Sequence, residues 1–247
     1  GAGTDASAGD GGCVSEIGAT DAKGATALAL DGDVVFWGTQ DGLVRTRDLG
    51  GTTTTLADAG ATVDSIALDA QYVYYATTGT IRRVARTGGS PSDFVTSAGQ
   101  PFALAVSSNP SLGAGALYWL DYGSGIADGS VRAKGQGGAE MTLLDGLDTP
   151  GGLAVADDYA YVPAAFADIS GLTYQGPLFH VDKVGGGHST LASNLQEPSS
   201  IVVFDGALSS VEQVGPPRLN GGGVRKIAVG GGVPPTVLHC GGGLLLD

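Results

Sequence analysis

The chain has 247 residues, 44 of them glycine, and carries 25 acidic against 12 basic side chains for a formal net charge of −13. That balance excludes nucleic acid and anionic membrane surfaces as partners, since both recruit clustered positive charge. No apolar run approaches the roughly 18 residues of a transmembrane helix, and a chain rich in Gly, Thr, Val and Ala but poor in Lys and Met favours short strands and tight turns over helices.

From the N-terminus, residues 1–12 (GAGTDASAGDGG) read as a flexible Gly/Asp-rich linker. No signal peptide or lipobox is present, yet the stretch resembles the tether behind the lipid-bearing Cys of exported bacterial lipoproteins. Cys13 follows, and Cys240 near the other end is the second of the two cysteines. They are either unrelated thiols or one disulfide. A Cys13–Cys240 bridge would close a very long loop, where the chain-entropy model gives the most stabilisation, and would imply an exported, oxidising compartment.

Beyond the linker the sequence repeats. An apolar segment recurs as LALD (28–31), IALD (66–69), LAVS (104–107), LAVA (153–156), IVVF (201–204) and LLLD (244–247). The first five are followed by a second segment: VVFW (34–37), YVYY (72–75), ALYW (116–119), YAYV (159–162) and the decayed ALSS (207–210). A third segment carries ten of the twelve basic residues: Arg45, Arg47, Arg82, Arg83, Arg86, Arg132, Lys134, Lys183, Arg225 and Lys226. A Gly-Gly pair and a short fourth segment close each unit, at Gly50, Gly88, Gly137, Gly185 and Gly231 with their successors. The Gly pairs are expected to supply the positive φ of a strand 3 to strand 4 turn. Four short strands repeated every 40–50 residues or so predict an all-β protein, a β-propeller of four-stranded antiparallel blades. The reading is five complete blades over residues 13–247, starting near residues 28, 66, 104, 153 and 201, with a partial sixth at 244. The aromatic pairs of strand 2 (Trp37, Tyr75 and Trp119 at equivalent places) then fill the wedge between neighbouring blades.

YWLD (118–121) departs by one residue from the YWTD motif, and Pro101, Pro150 and Pro198 each stand three residues before a strand 1 apolar residue. On these features, residues 25–247 resemble the broad six-bladed YWTD/NHL-like group of secreted bacterial propellers. The resemblance implies a six-fold ring. Five blades and LLLD then leave two possibilities: a truncated chain needing roughly 40 more residues, or closure as five blades plus a shared remnant. In either case VSEIG (14–18) could supply an outermost strand, and Cys13–Cys240 would staple the junction.

Alternating strand direction places the 2→3 loops and the 4→1 connectors on one face, where propellers usually bind ligands. The 2→3 loops lengthen in blades 3, 4 and 5: 122–128, 166–175 and 213–222. Function concentrates in such loops on rigid scaffolds. The candidate ligand surface is therefore Asp121, Tyr122, Phe166, Asp168, Tyr174 and Arg218, for a protein, peptide or glycan partner. The alternative is insertion without a ligand. No nucleophile elbow, zinc cluster or phosphate loop appears, so no catalytic residue is assigned. Propeller lactonases hold a divalent ion at the channel mouth. The matching alternative here is Ca2+ near Asp64, Asp148 and Glu197, which lie in 4→1 connectors but not at equivalent repeat positions. His180 and His188 flank the Gly185-Gly186 turn and read as ordinary edge residues. The strand 3 charges read as outer-edge solvating groups paired with acidic neighbours, and the Asp clusters DGD (31–33) and DD (157–158) at 1→2 turns as turn-stabilising. The sequence thus predicts an exported, envelope-tethered or extracellular monomer acting as a binding module, with a metal-dependent hydrolase as the alternative.

Overall fold

The computed structural model describes residues 24–48, 50–96, 98–124, 127–156, 158–167, 174–185, 187–204, 206–212, 223–228 and 236–240. Five sheets run in chain order. The first contains β1 (Ala25–Asp31), β2 (Val34–Thr39), β3 (Leu43–Asp48) and β4 (Thr54–Asp58). The second contains β5 (Ser65–Leu68), β6 (Tyr72–Thr77), β7 (Thr80–Ala85) and β8 (Ser92–Val95). The third contains β9 (Pro101–Asn109), β10 (Gly113–Asp121), β11 (Gly129–Lys134) and β12 (Glu140–Leu147). In the fourth, the first strand is split into β13 (Thr149–Pro150) and β14 (Ala154–Ala156), both paired to β15 (Tyr159–Ala167), and β16 (Tyr174–Asp182) and β17 (His188–Gln196) follow. The fifth contains β18 (Pro198–Phe204), β19 (Ala207–Glu212), β20 (Gly223–Ala228) and β21 (Thr236–Cys240). Every pairing is antiparallel between strands that follow one another within a sheet, and first strands pack on first strands: β1 on β5, β5 on β9, β9 on β14, β14 on β18. This is the predicted propeller, built of four-stranded blades.

The second strand explains the recurring aromatics. Its side chains alternate between two blade faces. Phe36, Tyr74, Tyr118 and Tyr161 turn to the following blade, while Tyr75, Trp119 and Val162 turn to the preceding one and Trp37 lies on the corresponding face of blade 1. All eight are buried. Opposite each next-facing ring, strand 1 supplies a small residue: Ala29 by Phe36, Ala67 by Tyr74, Ala105 by Tyr118, Ala154 by Tyr161. Blade 5 reverses the sizes, setting Val202 against Ser209. The decayed ALSS segment thus still forms a strand, because its partner takes the volume its own side chains lost.

The end of strand 3 clasps the preceding blade, which the sequence reading missed. Arg86 follows β7, sits 5.0 Å over the Phe36 ring and pairs with Asp31. Gln136, its repeat equivalent, donates to the Tyr74 hydroxyl (2.5 Å), to Asp69 Oδ2 (3.2 Å) and to the Gly115 carbonyl (2.9 Å), and accepts from Arg83 Nη1 (2.6 Å). Lys183 occupies the same place in blade 4. It is buried, donates to Ser107 Oγ at 2.9 Å and accepts at its carbonyl from Asn109 Nδ2 at 2.6 Å. Strand 3 charge is therefore not only a solvated edge. Arg82–Asp93 and Arg132–Glu140 fit that reading, but Arg86 and Lys183 are inter-blade groups.

Two smaller expectations need correction. Positive φ occurs at Gly50, Gly88, Gly89 and Gly185 but not at Gly137 or Gly138, where Gly138 N–H instead donates to the Gly135 carbonyl at 3.5 Å. In the 1→2 turns the amide-accepting role falls to residues outside the expected clusters: Asp69 accepts from the amides of Gln71 and Tyr72 and Asn109 from those of Ser111 and Leu112, whereas Asp31 is drawn to Arg86 and Asp157 lies outside the described residues.

Candidate ligand face

Three backbone bonds join the 2→3 side of a blade to a 4→1 connector. Val63 N–H donates to the Thr39 carbonyl (3.2 Å), Ala98 to Gly79 (3.1 Å) and Tyr122 to Gln100 (3.0 Å). They put the 2→3 loops and 4→1 connectors on one face in each of blades 1–3. The bonds also fix the loop roots, since each satisfies an amide outside the sheet ladders.

Blade 3 shows this face in most detail. Asp121 ends β10, and its Oδ1 accepts from Gln100 N–H (2.8 Å) and Gly123 N–H (3.1 Å). Both donors are loop amides, so the carboxylate acts as an anchor for the 4→1 connector and the 2→3 loop together. Gly99 is required beside it: its φ is +68°, and a Cβ there would overlap the carboxylate. Tyr122 follows on the loop, 44% exposed, its ring edge-on to Phe102 at 5.5 Å. Phe102 was not among the sequence candidates, although its place after Pro101 on strand 1 could have indicated it. The loop closes through Ser124, whose amide (2.8 Å) and hydroxyl (3.0 Å) both donate to Asp128 Oδ2.

Blade 4 departs from the predicted loop. β15 and β16 stay paired out to Phe166↔Gln175 and Ala167↔Tyr174, so Phe166 and Tyr174 are strand residues at the end of a long hairpin. The sheet pairing therefore reaches into 166–175 from both ends. Asp168 and Arg218 lie outside the described residues.

The acidic candidates occupy three different connectors. Asp64 directly precedes β5, and partial burial raises its carboxyl above the usual range. Its amide donates to Ala76 O at 2.9 Å, the bond that Gly151 makes to Pro163 in blade 4. Asp148 therefore stands three residues upstream of the place equivalent to Asp64. Glu197 fills the one-residue link between β17 and β18, in a left-handed conformation (φ +42°). Among the described residues no group of three or more His, Cys, Asp or Glu is arranged to hold a metal ion.

His180 and His188 each find an aromatic. His180 stacks on Tyr159 at 4.7 Å and bonds Ser189 Oγ, and His188 meets Phe179 edge-on at 5.5 Å. Cys240 ends β21, opposite Gly223 on β20. Its proposed partner Cys13 lies outside the described residues. No helix among the described residues is long and apolar enough to cross a membrane.

No protein-family model matches the chain, and no curated protein matches its sequence. Solved propellers do match by shape. The WD40 β-propeller domain of Doa1 is 14% identical, with a TM-score of 0.60 over 88% of this chain and 68% of that one. Regucalcin from Agrobacterium tumefaciens strain C58, described as a calcium-binding protein, is 11% identical with a TM-score of 0.55, over 86% of this chain and 73% of that one. The computationally designed Ika8 protein is 19% identical with a TM-score of 0.55 over 87% of this chain, which spans 61% of its length. A putative gluconolactonase (13% identical, TM-score 0.55) is similar over 84% of this chain and 74% of its own. At these identities the likeness is one of fold, and it agrees with the propeller built above.

Proposed function

We propose that the chain is an exported binding module whose ligand face is formed by the 2→3 loops of blades 3–5. The observation that carries this reading is the half-exposed Tyr122. It stands on Phe102 and on a loop root that Asp121 bonds to two amides, so the aromatic surface is held in place before any ligand arrives. A rigid ring open to solvent suits an extended peptide or a sugar chain, which offer apolar edges to aromatics and hydrogen bonds to loop backbone. The long 2→3 connections of blades 4 and 5 would extend this surface through Phe166, Asp168, Tyr174 and Arg218.

A thermal-shift series tests the reading, since a ligand that binds only the folded state raises its melting temperature. Cell-wall sugars and a peptide library are expected to yield a shift that Tyr122→Ala abolishes. A shift produced by calcium alone and removed by EDTA would instead support a lactonase-like hydrolase, with Asp64, Asp148 and Glu197 the residues to substitute.

A further inference from the structure

On the side opposite the candidate ligand face, each blade has an outer corner turned to the next blade, where the end of strand 3 meets the starts of strands 2 and 4. Blade 2 fills it with Arg83, which lies 4.4 Å over the Tyr72 ring and 5.1 Å over that of Phe94. Blade 4 fills it with His180 stacked on Tyr159. Blade 3, with Ala133 on its third strand, fills it from the fourth with Met141. Blade 1 does none of these. Val34 stands where Tyr72 and Tyr159 do, Thr46 where Arg83 and His180 do, and Thr54, opposite Thr46, where Met141 does. The space left is a cavity of about 330 Å³ between blades 1 and 2, open to solvent and within the range of small-ligand pockets.

Its charges select a cation. Asp48 lines the cavity and pairs across the sheet with Val34, so it shares the face of Val34 and Phe36, and its carboxylate has no partner among the described residues. Asp182 holds the same place in blade 4, two residues along the strand from the basic His180. Arg86 forms the far wall, but Asp31 neutralises it. Arg47 also borders the space, yet it pairs with Val35, so strand alternation turns its side chain to the other blade face.

We propose that this cavity binds the arginine side chain of a partner protein, supplying from outside the basic group that blades 2 and 4 supply themselves. The guanidinium pairs with Asp48, its methylene stem lies on Val34 and Phe36, and the hydroxyls of Thr52, Thr54 and Thr87 accept its remaining N–H groups. A guanidinium suits the corner better than an ammonium does, because its planar fork grips a carboxylate through two bonds and fits flat between the blades. The net charge of −13 draws a basic partner in. The site lies away from the 2→3 loops, so neither reading rests on the other.

An NMR titration of the full chain tests this, with arginine blocked at both backbone ends as the probe and blocked citrulline as its uncharged isostere. The arginine probe at millimolar concentration should shift the amides of Asp48, Thr52 and Thr87 saturably, and citrulline should bind at least about tenfold more weakly. Asp48→Asn, a change at an exposed position, should weaken arginine binding at least about tenfold as well. Thr46→Arg, which installs the group that Arg83 supplies in blade 2, should abolish it. Equal binding of the two probes would overturn the proposal, as would arginine binding indifferent to Asp48→Asn, or no shift at these amides. Tighter binding of blocked glutamate than of blocked arginine would make the cavity an anion site, and would equally overturn it.

Discussion

Tyr74 shows how one residue of the repeat reports on a blade junction. Burial strips water from its hydroxyl and, with Asp69 accepting from it at 2.7 Å, pushes its ionisation up to about 12 against the hydrogen bond from Gln136 that favours the charged form. In the unfolded chain the proton leaves near the ordinary value of 10.0. The unfolded state thus binds fewer protons in between, so this group's contribution is complete below pH 10 and is lost as pH rises toward about 12. An absorbance titration of phenolate should include a transition near pH 12 whose amplitude Tyr74→Phe lowers by one tyrosine; a wild-type titration complete by pH 11 would contradict the assignment. Asn109 carries a different load. It serves the amides of Ser111 and Leu112, the Tyr118 hydroxyl (2.8 Å) and the Lys183 carbonyl, so Asn109→Ala removes four hydrogen bonds and should cost about 2 kcal/mol or more in urea denaturation. Asn109→Asp should recover only the two amide bonds.

At the scale of the strand and the blade, alternation and clasp act together. The two-residue period was legible in VFWGT, VYYAT and LYWLD, because a strand buried on both faces must put a large group on each. The clasp was not legible, since Arg86, Gln136 and Lys183 have little in common as side chains and share only an equivalent place just beyond the third strand, one residue past β7 and β16 and two past β11. The length of the blade 4 hairpin was hidden for a related reason. Phe166 and Ala167 look like loop in a Gly-rich context, and only their pairing with Gln175 and Tyr174 makes them strand. Blades 4 and 5 also meet through backbone. A Cβ at Gly151 would stand on the Pro198 carbonyl oxygen, a neighbour that no side-chain rotation can move. Gly151→Ala should therefore lose about 2–3 kcal/mol and loosen blade 5 first, seen as faster amide exchange in β18 and β19 than in β6. Uniform loosening of all blades would contradict that local account.

Across the whole molecule, the repeat announced a propeller because each blade restates the same burial problem, and five blades stand where five repeats were read. The candidate ligand face was legible only as loop lengths. What the side chains do there depends on contacts distant in sequence, such as Asp121 with Gln100 or Tyr122 with Phe102, and no local pattern records them. Composition likewise could not tell an anchoring carboxylate from a ligand group, and Asp121 proves to be bonded to loop amides. The central claim is that ligand binds over the 2→3 loops of blades 3–5 and not elsewhere on the ring. The measurement that tests it most directly is calorimetric titration of the best ligand from the thermal-shift screen into three proteins. These are the unaltered chain, the triple variant Tyr122→Ala, Phe166→Ala and Tyr174→Ala, and a control with Asp33→Ala, an exposed 1→2 turn residue on the opposite face. The account predicts at least about a hundredfold weaker binding for the triple variant, about 2.7 kcal/mol, and unchanged binding for the control. Equal affinity in all three proteins, with the triple variant still folded, would contradict it.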